Sequence, residues 1–482
     1  VSGNNVTLND INALTLGAST INGTLTVTTT GALTQSGALN VAGPTTLAAG
    51  AANDITLTNA ANDFSTVGIT TGNNVTLTDS NALDLAASTI SGTLGLTAGG
   101  PLSQSGVLNV TGATTFTATT ANTDVLLATQ ANDFGGAFSF AGTQANIRDV
   151  RLRNVNAGAS VPTLAGLTNL RNLTLTFDTA PITLPALTAG GNLNLTAGGT
   201  IDQSGAVAVG GATTLATTVA GSDILLDTQP NNFTGAIAFG GTTSNIRDLS
   251  LRNVNAGATV PTLAGLTNLR NLTLTFDNAP ISLPAVALTA GGNLTVTAGG
   301  TIMQSGALTV PGTTTLSATV AGSDILLDTQ PNNFTGAIVF GGTTSNIRDL
   351  GLRNVNAGAS VPTLAGLTNL RNLTLTFNTA PMVLPTLTAS GNLVATAGGL
   401  ISQAGALTVA GTANFDTTAA LTLGSVTLAN GAALTLNTST VGGNLTATTT
   451  AGDLTLPAGQ TLTVAGDATL TLERGSDVEG IG

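Results

Sequence analysis

The sequence predicts an all-β fold, a β-solenoid that forms an elongated rod with essentially no helix. Three observations predict it. The 482-residue chain repeats itself in tandem. Short runs that alternate apolar and polar residues recur about every 8–12 residues, and Gly, Asn, Asp and Ser separate them, a pattern typical of half-buried strands. Finally, no stretch shows a sustained helical period of apolar residues with caps.

The tandem repeats have two lengths. The tripeptide QSG begins at Gln35, Gln104, Gln203 and Gln304 and returns as QAG at Gln403, so that successive copies lie 69, 99, 101 and 99 residues apart. The longer intervals contain a segment that begins with NIRD, at Asn146, Asn245 and Asn346. We therefore expect one continuous solenoid over residues 1–482, with a short repeat at 1–72, a repeat leading into the long type at 73–145, three long repeats at 146–410 and divergent shorter coils at 411–482.

The difference between the two repeat lengths favours a solenoid over a closed propeller. About thirty extra residues would add roughly one coil of about 20–25 residues, and a solenoid tolerates this because each coil contacts only its neighbours. A propeller cannot absorb such an insertion so easily. About 20 coils stacked about 4.8 Å apart would give a rod on the order of 100 Å long.

The composition excludes several classes of function. The chain has no His and no Cys, so it lacks the usual transition-metal ligands, general base and thiol nucleophile. A net charge of −12 argues against nucleic-acid binding. No uninterrupted apolar stretch of about 18 residues is present, so we expect no transmembrane segment. We expect no enzymatic activity and no cofactor, and no residue is assigned as catalytic, cofactor-binding or metal-binding.

The arginines are the most conspicuous charged residues. Ten of the eleven lie in the three long repeats, at Arg148, Arg151, Arg153, Arg171, Arg247, Arg252, Arg270, Arg348, Arg353 and Arg371. A structural interpretation pairs them with Asp149, Asp248 and Asp349, or uses them to cap carbonyl groups between coils. The alternative is a periodic site for an anionic polysaccharide, because guanidinium binds such anions well. The neighbouring acids favour the structural interpretation.

The segment SDILLDT repeats two aspartates, Asp223 with Asp227 and Asp324 with Asp328. Paired carboxylates could hydrolyse glycosides or hold calcium. An active site is normally unique, however, whereas these positions are copied from repeat to repeat. We therefore favour solvated corners, with weak calcium binding and catalysis as the alternatives.

Other recurring residues have structural interpretations. Phe64, Phe134, Phe233 and Phe334 follow ND or NN in equivalent places and are expected to fill wider points of a narrow core. The asparagines of NVNAG and NNF are expected to form stacked ladders, and Gly and Asn to supply the positive φ values of tight corners. The spacing of LAGLTNLRNLTLTF matches a leucine-rich repeat, but it occurs once per hundred residues, whereas a horseshoe needs consecutive copies.

Units such as NNVTLTDSNALDLAASTISGTLGLTAGGPLSQSGVLNV resemble the repeat regions of filamentous-haemagglutinin-type exoproteins. The resemblance implies export by a two-partner or autotransporter-like route. The likeness is greatest over residues 1–145 and in the TAGG–QSG stretches of each repeat. It implies a right-handed parallel β-helix, a location outside the cell or at the surface of a Gram-negative bacterium, and roles in adhesion, biofilm matrix or surface filaments. The NIRD segment is less typical of that family.

Our leading hypothesis is a structural or adhesive rod of a large secreted or cell-surface protein, or a subunit of an extracellular filament. Expected partners are further copies of the chain, stacked end to end, and glycans or proteins of a host or neighbouring cell. One alternative is a glycan-binding module that uses the repeated arginines. Another is a polysaccharide lyase or hydrolase on a β-helix.

Overall fold

The computed structural model describes residues 2–417 and, after them, the short stretches 421–423, 426–429, 434–436, 439–441, 445–449, 454–456, 458–459, 461–464, 467–472 and 478–479. The chain forms a parallel β-solenoid of about 21 turns, which confirms the predicted fold class. It divides into two compact units, Val1–Ile246 and Arg247–Gly482. One continuous solenoid over residues 1–482 stays a prediction.

The strands of the first unit are short, most of them three to five residues long. They are β1 (Ser2–Gly3), β2 (Val6–Asp10), β3 (Leu14–Leu16), β4 (Ser19–Ile21), β5 (Leu25–Thr29), β6 (Leu33–Gln35), β7 (Leu39–Ala48), β8 (Ile55–Leu57), β9 (Asp63–Thr71), β10 (Val75–Asp79), β11 (Leu83–Leu85), β12 (Ser88–Ile90), β13 (Leu94–Ala98), β14 (Leu102–Gln104), β15 (Leu108–Val110), β16 (Thr114–Ala118), β17 (Thr123–Leu127), β18 (Asp133–Phe134), β19 (Phe138–Ala141), β20 (Ile147–Asn154), β21 (Asn172–Phe177), β22 (Ile182–Leu184), β23 (Leu187–Ala189), β24 (Leu193–Ala197), β25 (Ile201–Gln203), β26 (Val207–Val209), β27 (Thr213–Thr217), β28 (Ser222–Leu226), β29 (Asn232–Phe233) and β30 (Ile237–Phe239).

The second unit continues the same alternation of short strands and corners. Its strands are β31 (Ile246–Asn253), β32 (Asn271–Phe276), β33 (Ile281–Leu283), β34 (Val286–Ala287), β35 (Leu294–Ala298), β36 (Ile302–Gln304), β37 (Leu308–Val310), β38 (Thr314–Ala318), β39 (Ser323–Leu327), β40 (Asn333–Phe334), β41 (Ile338–Phe340), β42 (Ile347–Asn354), β43 (Asn372–Phe377), β44 (Met382–Leu384), β45 (Leu387–Ala389), β46 (Leu393–Ala397), β47 (Ile401–Gln403), β48 (Leu407–Val409), β49 (Ala413–Thr417), β50 (Leu421–Leu423), β51 (Val426–Ala429), β52 (Leu434–Leu436), β53 (Ser439–Val441), β54 (Leu445–Thr449), β55 (Leu454–Thr455), β56 (Leu462–Val464), β57 (Ala468–Leu472) and β58 (Val478–Glu479).

Each coil pairs with the next through parallel strands in register. In the first unit β13 pairs with β16, so that Leu94 lies beside Thr114 and Leu96 beside Phe116, twenty positions further along the chain. Successive residues of a strand point to opposite faces. Along each strand the apolar side chains therefore point into the core, and the threonines between them point outward. β-branched Thr suits the outer face, since it favours extended backbone and tolerates water.

The long repeats differ from the short one by one added coil. In the short repeat β8 pairs directly with β10. In the first long repeat the equivalent strand β17 pairs with β20, and β20 then pairs with β21. The NIRD strand β20 therefore belongs to an added coil. The sequence predicts this coil from the roughly thirty additional residues of the long repeats.

Equivalent strands one repeat apart lie in different sheets. The strand with the TAGG motif is β13 in one repeat and β24 in the next, 99 positions later, but β13 pairs with β16 and β10 whereas β24 stands in the sheet that contains β14. The same change occurs in the second unit, where β42 pairs with both β39 and β43. One sheet therefore contains the strand with the QSG motif, β36, and, further along, the strand with the TAGG motif, β46. Each repeat therefore contains a non-integral number of coils.

The core is narrow and filled mainly by Leu, Val, Ile and Ala. The four recurring phenylalanines Phe64, Phe134, Phe233 and Phe334 are each 1% exposed. This confirms the prediction that they fill recurring points of the core. The three 3₁₀ helices Gln144–Asn146, Thr243–Asn245 and Thr344–Asn346 precede the NIRD strands. Among the described residues no helix has the length and apolar character that crossing a membrane requires.

The expectation that glycines supply positive φ was wrong for most corners. Positive φ is confined, among the described residues, to eight glycines and Asn122. Gly221, Gly322 and Asn122 occupy equivalent turns, so Asn takes the left-handed conformation once where Gly takes it elsewhere. Most corner glycines are required by stacking. A Cβ on Gly112, for example, would lie 2.5 Å from the carbonyl oxygen of Gly92 on the preceding coil.

Candidate functional site

The added coil of each long repeat carries the charged residues and is the main candidate surface. In the first long repeat β20 is linked to the coil on either side by ion pairs. The Arg148 guanidinium contacts Asp124 at 2.6 Å on one side, and Asp149 accepts from Arg171 at 2.5 Å on the other. Arg153 pairs with Asp178 at 2.6 Å. The cations are therefore used between coils.

The second unit repeats this arrangement. Arg270 pairs with Asp248 and Arg371 with Asp349, and Arg348 contacts Asp324 at 2.7 Å. The pairing of arginines with Asp149, Asp248 and Asp349 was predicted from the sequence and is confirmed. The partners Asp124 and Asp324 were not predicted, because they lie on the preceding coil, 24 residues earlier in the chain.

These ion pairs require a local irregularity of the strand. The register between β17 and β20 shifts after Thr123, and that between β39 and β42 shifts after Ser323. Such a bulge places one extra residue outside the ladder. Here that residue is the arginine of NIRD, so its side chain reaches the previous coil while the following aspartate reaches the next.

The carboxyl groups of Asp149, Asp248 and Asp349 are electrostatically stabilised. Burial alone would raise the pKa of each one. Hydrogen bonds from the paired arginine and from the next asparagine outweigh that effect, so each pKa is lowered from its ordinary value of 3.8. All three aspartates are thus held ionised as structural anions.

Two arginines depart from this pattern. Arg353 donates to the amide oxygen of Asn378 at 3.1 Å, because the aspartate found at Asp178 and Asp277 is replaced there. Arg151 is exposed, and no contact of its guanidinium with another described side chain is seen. Its equivalents are Ser250 and Gly351, so this cation does not recur in the later repeats.

The SDILLDT aspartates do not form a carboxylate pair. Asp324 and Asp328 stand four positions apart at opposite ends of β39, which places them about 13 Å apart along an extended strand. Asp324 is bound to Arg348, whereas the Asp328 carboxylate packs over Gly351. Within the described part of the chain no group of three or more acidic side chains could hold a metal ion.

The QSG motif contributes buried amides, which sequence reasoning missed. Gln104 and Asn132 exchange two side-chain hydrogen bonds, of 2.9 and 2.8 Å, and Asn132 also accepts from the backbone of Leu108. Gln203 bonds Asn231 and Gln304 bonds Asn332 in the same way. The constant spacing of 28 residues between Gln and Asn was the signal that could have revealed the pairs.

The expected asparagine ladders are only partly present. Asn172 accepts from the backbone N–H of Asn192, and Asn192 accepts from that of Ala212, so this column is a chain of side-chain to backbone bonds. Asn154 of the NVNAG motif instead accepts from the N–H of Phe134 and donates to its carbonyl oxygen. The first asparagine of NNF binds glutamine, as described above, whereas the second one, Asn333, accepts from the side-chain NH₂ of Asn356 in the NVNAG motif at 2.8 Å.

Residues 164–171 of the leucine-rich segment form a loop between β20 and β21, and its remaining residues are β21 itself. Leu164, Leu167 and Leu170 are all nearly buried, and two successive turns join Leu164 to Leu167 and Leu167 to Leu170. The single strand of the segment, β21, pairs with the solenoid strands β20 and β24, so the segment is not a leucine-rich horseshoe unit. Beside it lies an open, uncharged groove of about 430 Å³, and the equivalent groove at Leu263–Leu269 measures about 460 Å³.

A family of repeats matches most of the chain. Its matches cover residues 3–71, 72–141, 170–240, 269–341, 370–426 and 423–479. The gaps 142–169, 241–268 and 342–369 are each 28 residues long and coincide with the added coils, so the charged coil is an addition to the family's repeat. No curated protein and no solved structure matches the chain. Because these matches span more than half of its length, the chain belongs to the family described as repeats of unknown function (DUF5649).

Proposed function

We propose that this chain is a structural scaffold within a secreted or cell-surface protein of the filamentous-haemagglutinin type, exposed on a Gram-negative bacterium and serving adhesion or building an extracellular filament. The observation that carries the structural role is the use of the recurring polar residues. The Gln–Asn pairs, the Arg–Asp pairs and the corner asparagines all bond one coil to another. Polar residues used in this way stabilise a repeating support.

The absence of a catalytic role is part of the same proposal. The copied aspartates are either bound to arginine or isolated at the end of a strand. The alternative of a glycan-binding module needs repeated arginines that are available to an anionic ligand. Arg153 and Arg252 are instead bound to Asp178 and Asp277 within the solenoid. Among the arginines that the structure describes, only Arg151 presents a guanidinium for which no partner is seen, and a single cation is not a periodic site.

Deleting a long repeat tests the scaffold role. Removal of residues 247–347 joins Ile246 to Arg348 and preserves the NIRD sequence. We expect the shortened chain to fold, with unchanged circular dichroism per residue and a maximum dimension in small-angle X-ray scattering reduced by about 20 Å, since about four coils are lost. Loss of the folded state would contradict the modular scaffold.

The surface location and the adhesive role need a separate measurement. We expect antibodies against the folded chain to label intact cells of the producing organism, and cells that lack the protein to attach less to surfaces or to each other. Labelling confined to permeabilised cells would overturn the proposed location. Normal attachment of the deletion strain would overturn the adhesive role and leave the scaffold role standing.

A further inference from the structure

The third long repeat contains a strand edge that no other strand covers. The N–H of Thr314 donates to the carbonyl of Ala337, and the N–H of Gly341 donates to that of Leu316, so residues 337, 339 and 341 bond β38. Backbone direction alternates along a parallel strand. The N–H and C=O groups of Ile338 and Phe340 therefore point the other way, and within the described residues β41 is the last strand of its sheet.

A groove runs along this edge, beneath the loop that leads from β42 to β43. Two adjoining hollows of about 360 and 320 Å³ share Ile338, Val339 and Thr363. No charged residue lines either of them. Val339 is 44% exposed, so the groove opens to solvent. The open backbone groups and the neutral lining together define the chemistry of the site.

The first long repeat shows what the same edge binds when it is filled. There the Gln144 side-chain amide donates to the carbonyl oxygen of Phe140 at 2.9 Å and packs directly against Gly166 of the loop. The equivalent residue in the third repeat is Thr344, whose hydroxyl donates instead to the carbonyl of Gly366 at 2.7 Å. The carbonyl of Phe340 is thereby left without the amide donor that its counterpart has.

A second substitution opens the groove further. Phe138 of the first repeat is 5% exposed and stacks edge-on with Phe134 and Phe140 at 5.5 Å. Ile338 replaces it in the third repeat and is only half-buried. The smaller side chain and the missing glutamine leave the hollow in the same place that the first repeat fills with its own atoms.

We propose that the groove along β41 binds an extended, uncharged polypeptide segment, which adds as a strand to Ile338 and Phe340. The edge offers N–H and C=O groups two residues apart, a spacing of about 6.6 Å that an extended backbone matches. An oligosaccharide carries hydroxyls without that repeat. A charged segment would lose its hydration against a lining that offers no counter-charge. This inference goes beyond the scaffold role and does not depend on where the protein is located.

A blocked pentapeptide, acetyl-Val-Thr-Val-Thr-Val-amide, is a suitable probe for this edge. The equivalent strand β30 of the second long repeat is also the last strand of its sheet, so we expect the full chain to bind one copy at each edge, with chemical-shift changes by NMR in the amides of Ile338 and Phe340 and of Ile237 and Phe239. The same peptide N-methylated at alternate residues should bind at least about tenfold more weakly, because it cannot donate to the edge. Equal binding of the two peptides would overturn strand addition.

Variants at Thr344 give the matched control. Thr344→Gln reproduces the side chain that fills the first repeat and should abolish the chemical-shift changes at Ile338 and Phe340, whereas Thr344→Ser keeps the hydroxyl and should bind as the parent does. Circular dichroism should be the same for all three proteins. Chemical-shift changes at Ile338 and Phe340 that survive Thr344→Gln would refute the proposal. Self-association abolished by Thr344→Gln, without peptide binding, would identify the occupant as a second copy of the chain and also refute it.

Discussion

At the scale of single residues, one buried position is occupied in two chemically different ways. The Asp79 carboxylate accepts from the backbone N–H groups of Phe64 and Asn81 at 2.8 and 2.9 Å. The Asn154 amide oxygen accepts equivalent bonds from Phe134 and Asn156 at 3.1 and 3.0 Å, and its NH₂ adds a bond to the carbonyl of Phe134. An amide satisfies this site completely, whereas a carboxylate cannot donate.

We therefore expect Asp79→Asn to stabilise the protein near neutral pH by about 1 kcal/mol, the value of one additional hydrogen bond. Burial raises the pKa of Asp79, although its two backbone hydrogen bonds lower it. As the pH rises above 3.8, the Asp79 carboxyl group therefore ionises more readily in the unfolded protein than in the folded one. Asp79 thus lowers the free energy of unfolding above that pH and does not lower it below. Hydrogen exchange of the Phe64 amide as a function of pH measures the effect.

The reciprocal variant Asn354→Asp is the control, because Asn354 holds Phe334 in the same way in the second unit and is 3% exposed. It should be destabilised by about 1–3 kcal/mol at neutral pH and recover in acid. If Asp79→Asn were also destabilising, the equivalence of the two sites would be wrong.

A second residue-scale prediction concerns the incomplete ion pair of the third repeat. Asn378→Asp should give Arg353 the partner that Asp178 gives Arg153, and should slow hydrogen exchange in β42 and β43 by an amount corresponding to about 0.5 kcal/mol. Asp178→Asn should do the opposite in the first repeat. Both effects should shrink in high salt. An effect independent of salt would mean that packing, and not charge, is responsible.

At the scale of elements, the corners and the strands use glycine for different reasons. Gly112 lies at a corner where a Cβ would meet the carbonyl oxygen of Gly92 at 2.5 Å, and backbone cannot yield cheaply. Gly95 lies within β13, where the nearest atom to an added Cβ is the Thr76 side chain at 3.6 Å. Stacked corners need glycine because coils approach closely, whereas the strand does not need it.

Gly112→Ala should therefore destabilise the first unit, and Gly95→Ala should stabilise it by about 0.5–1 kcal/mol, because alanine loses less backbone freedom in a strand. The two sites are 17 positions apart in adjoining coils, so chemical denaturation of the same unit measures both. Equal effects of the two substitutions would show that the close approach at the corner relaxes without cost.

At the scale of the whole molecule, the 28-residue coil is the unit by which the repeat grows. Deleting residues 342–369 should leave a folded solenoid, because β39 can then pair with β43 directly, as β8 pairs with β10 in the short repeat. Residues 342–355 are half that length, and their deletion should disrupt the folded state of the second unit, since it places a corner opposite a strand. Circular dichroism and limited proteolysis distinguish the two outcomes. Equal tolerance of both deletions would contradict the requirement that a whole coil be added or removed.

Much of the architecture could be predicted from the sequence because it depends on local patterns. Alternation in runs such as Leu173–Phe177 predicts strands with Leu inward and Thr outward, and the difference between repeats of 69 and 99 residues predicts one added coil. The paired arginines at Arg171, Arg270 and Arg371 were also predicted, because their acidic partners recur with them. Membership of a surface exoprotein family and the role in adhesion stay predictions.

What the sequence by itself determined, then, is the solenoid: tandem repeats and period-2 alternation admit few other folds. What only the tertiary structure decided is which residues meet across coils. Arg148 bonds Asp124 across 24 positions, whereas Arg171 bonds Asp149 across 22, because coil lengths vary between corners, so the partner on the next coil cannot be counted off from a fixed period. A repeat that is not a whole number of coils places each of its strands on a different face of the solenoid from the equivalent strand one repeat earlier. Equivalent strands therefore lie in different sheets, and β41 is left at the edge of its sheet.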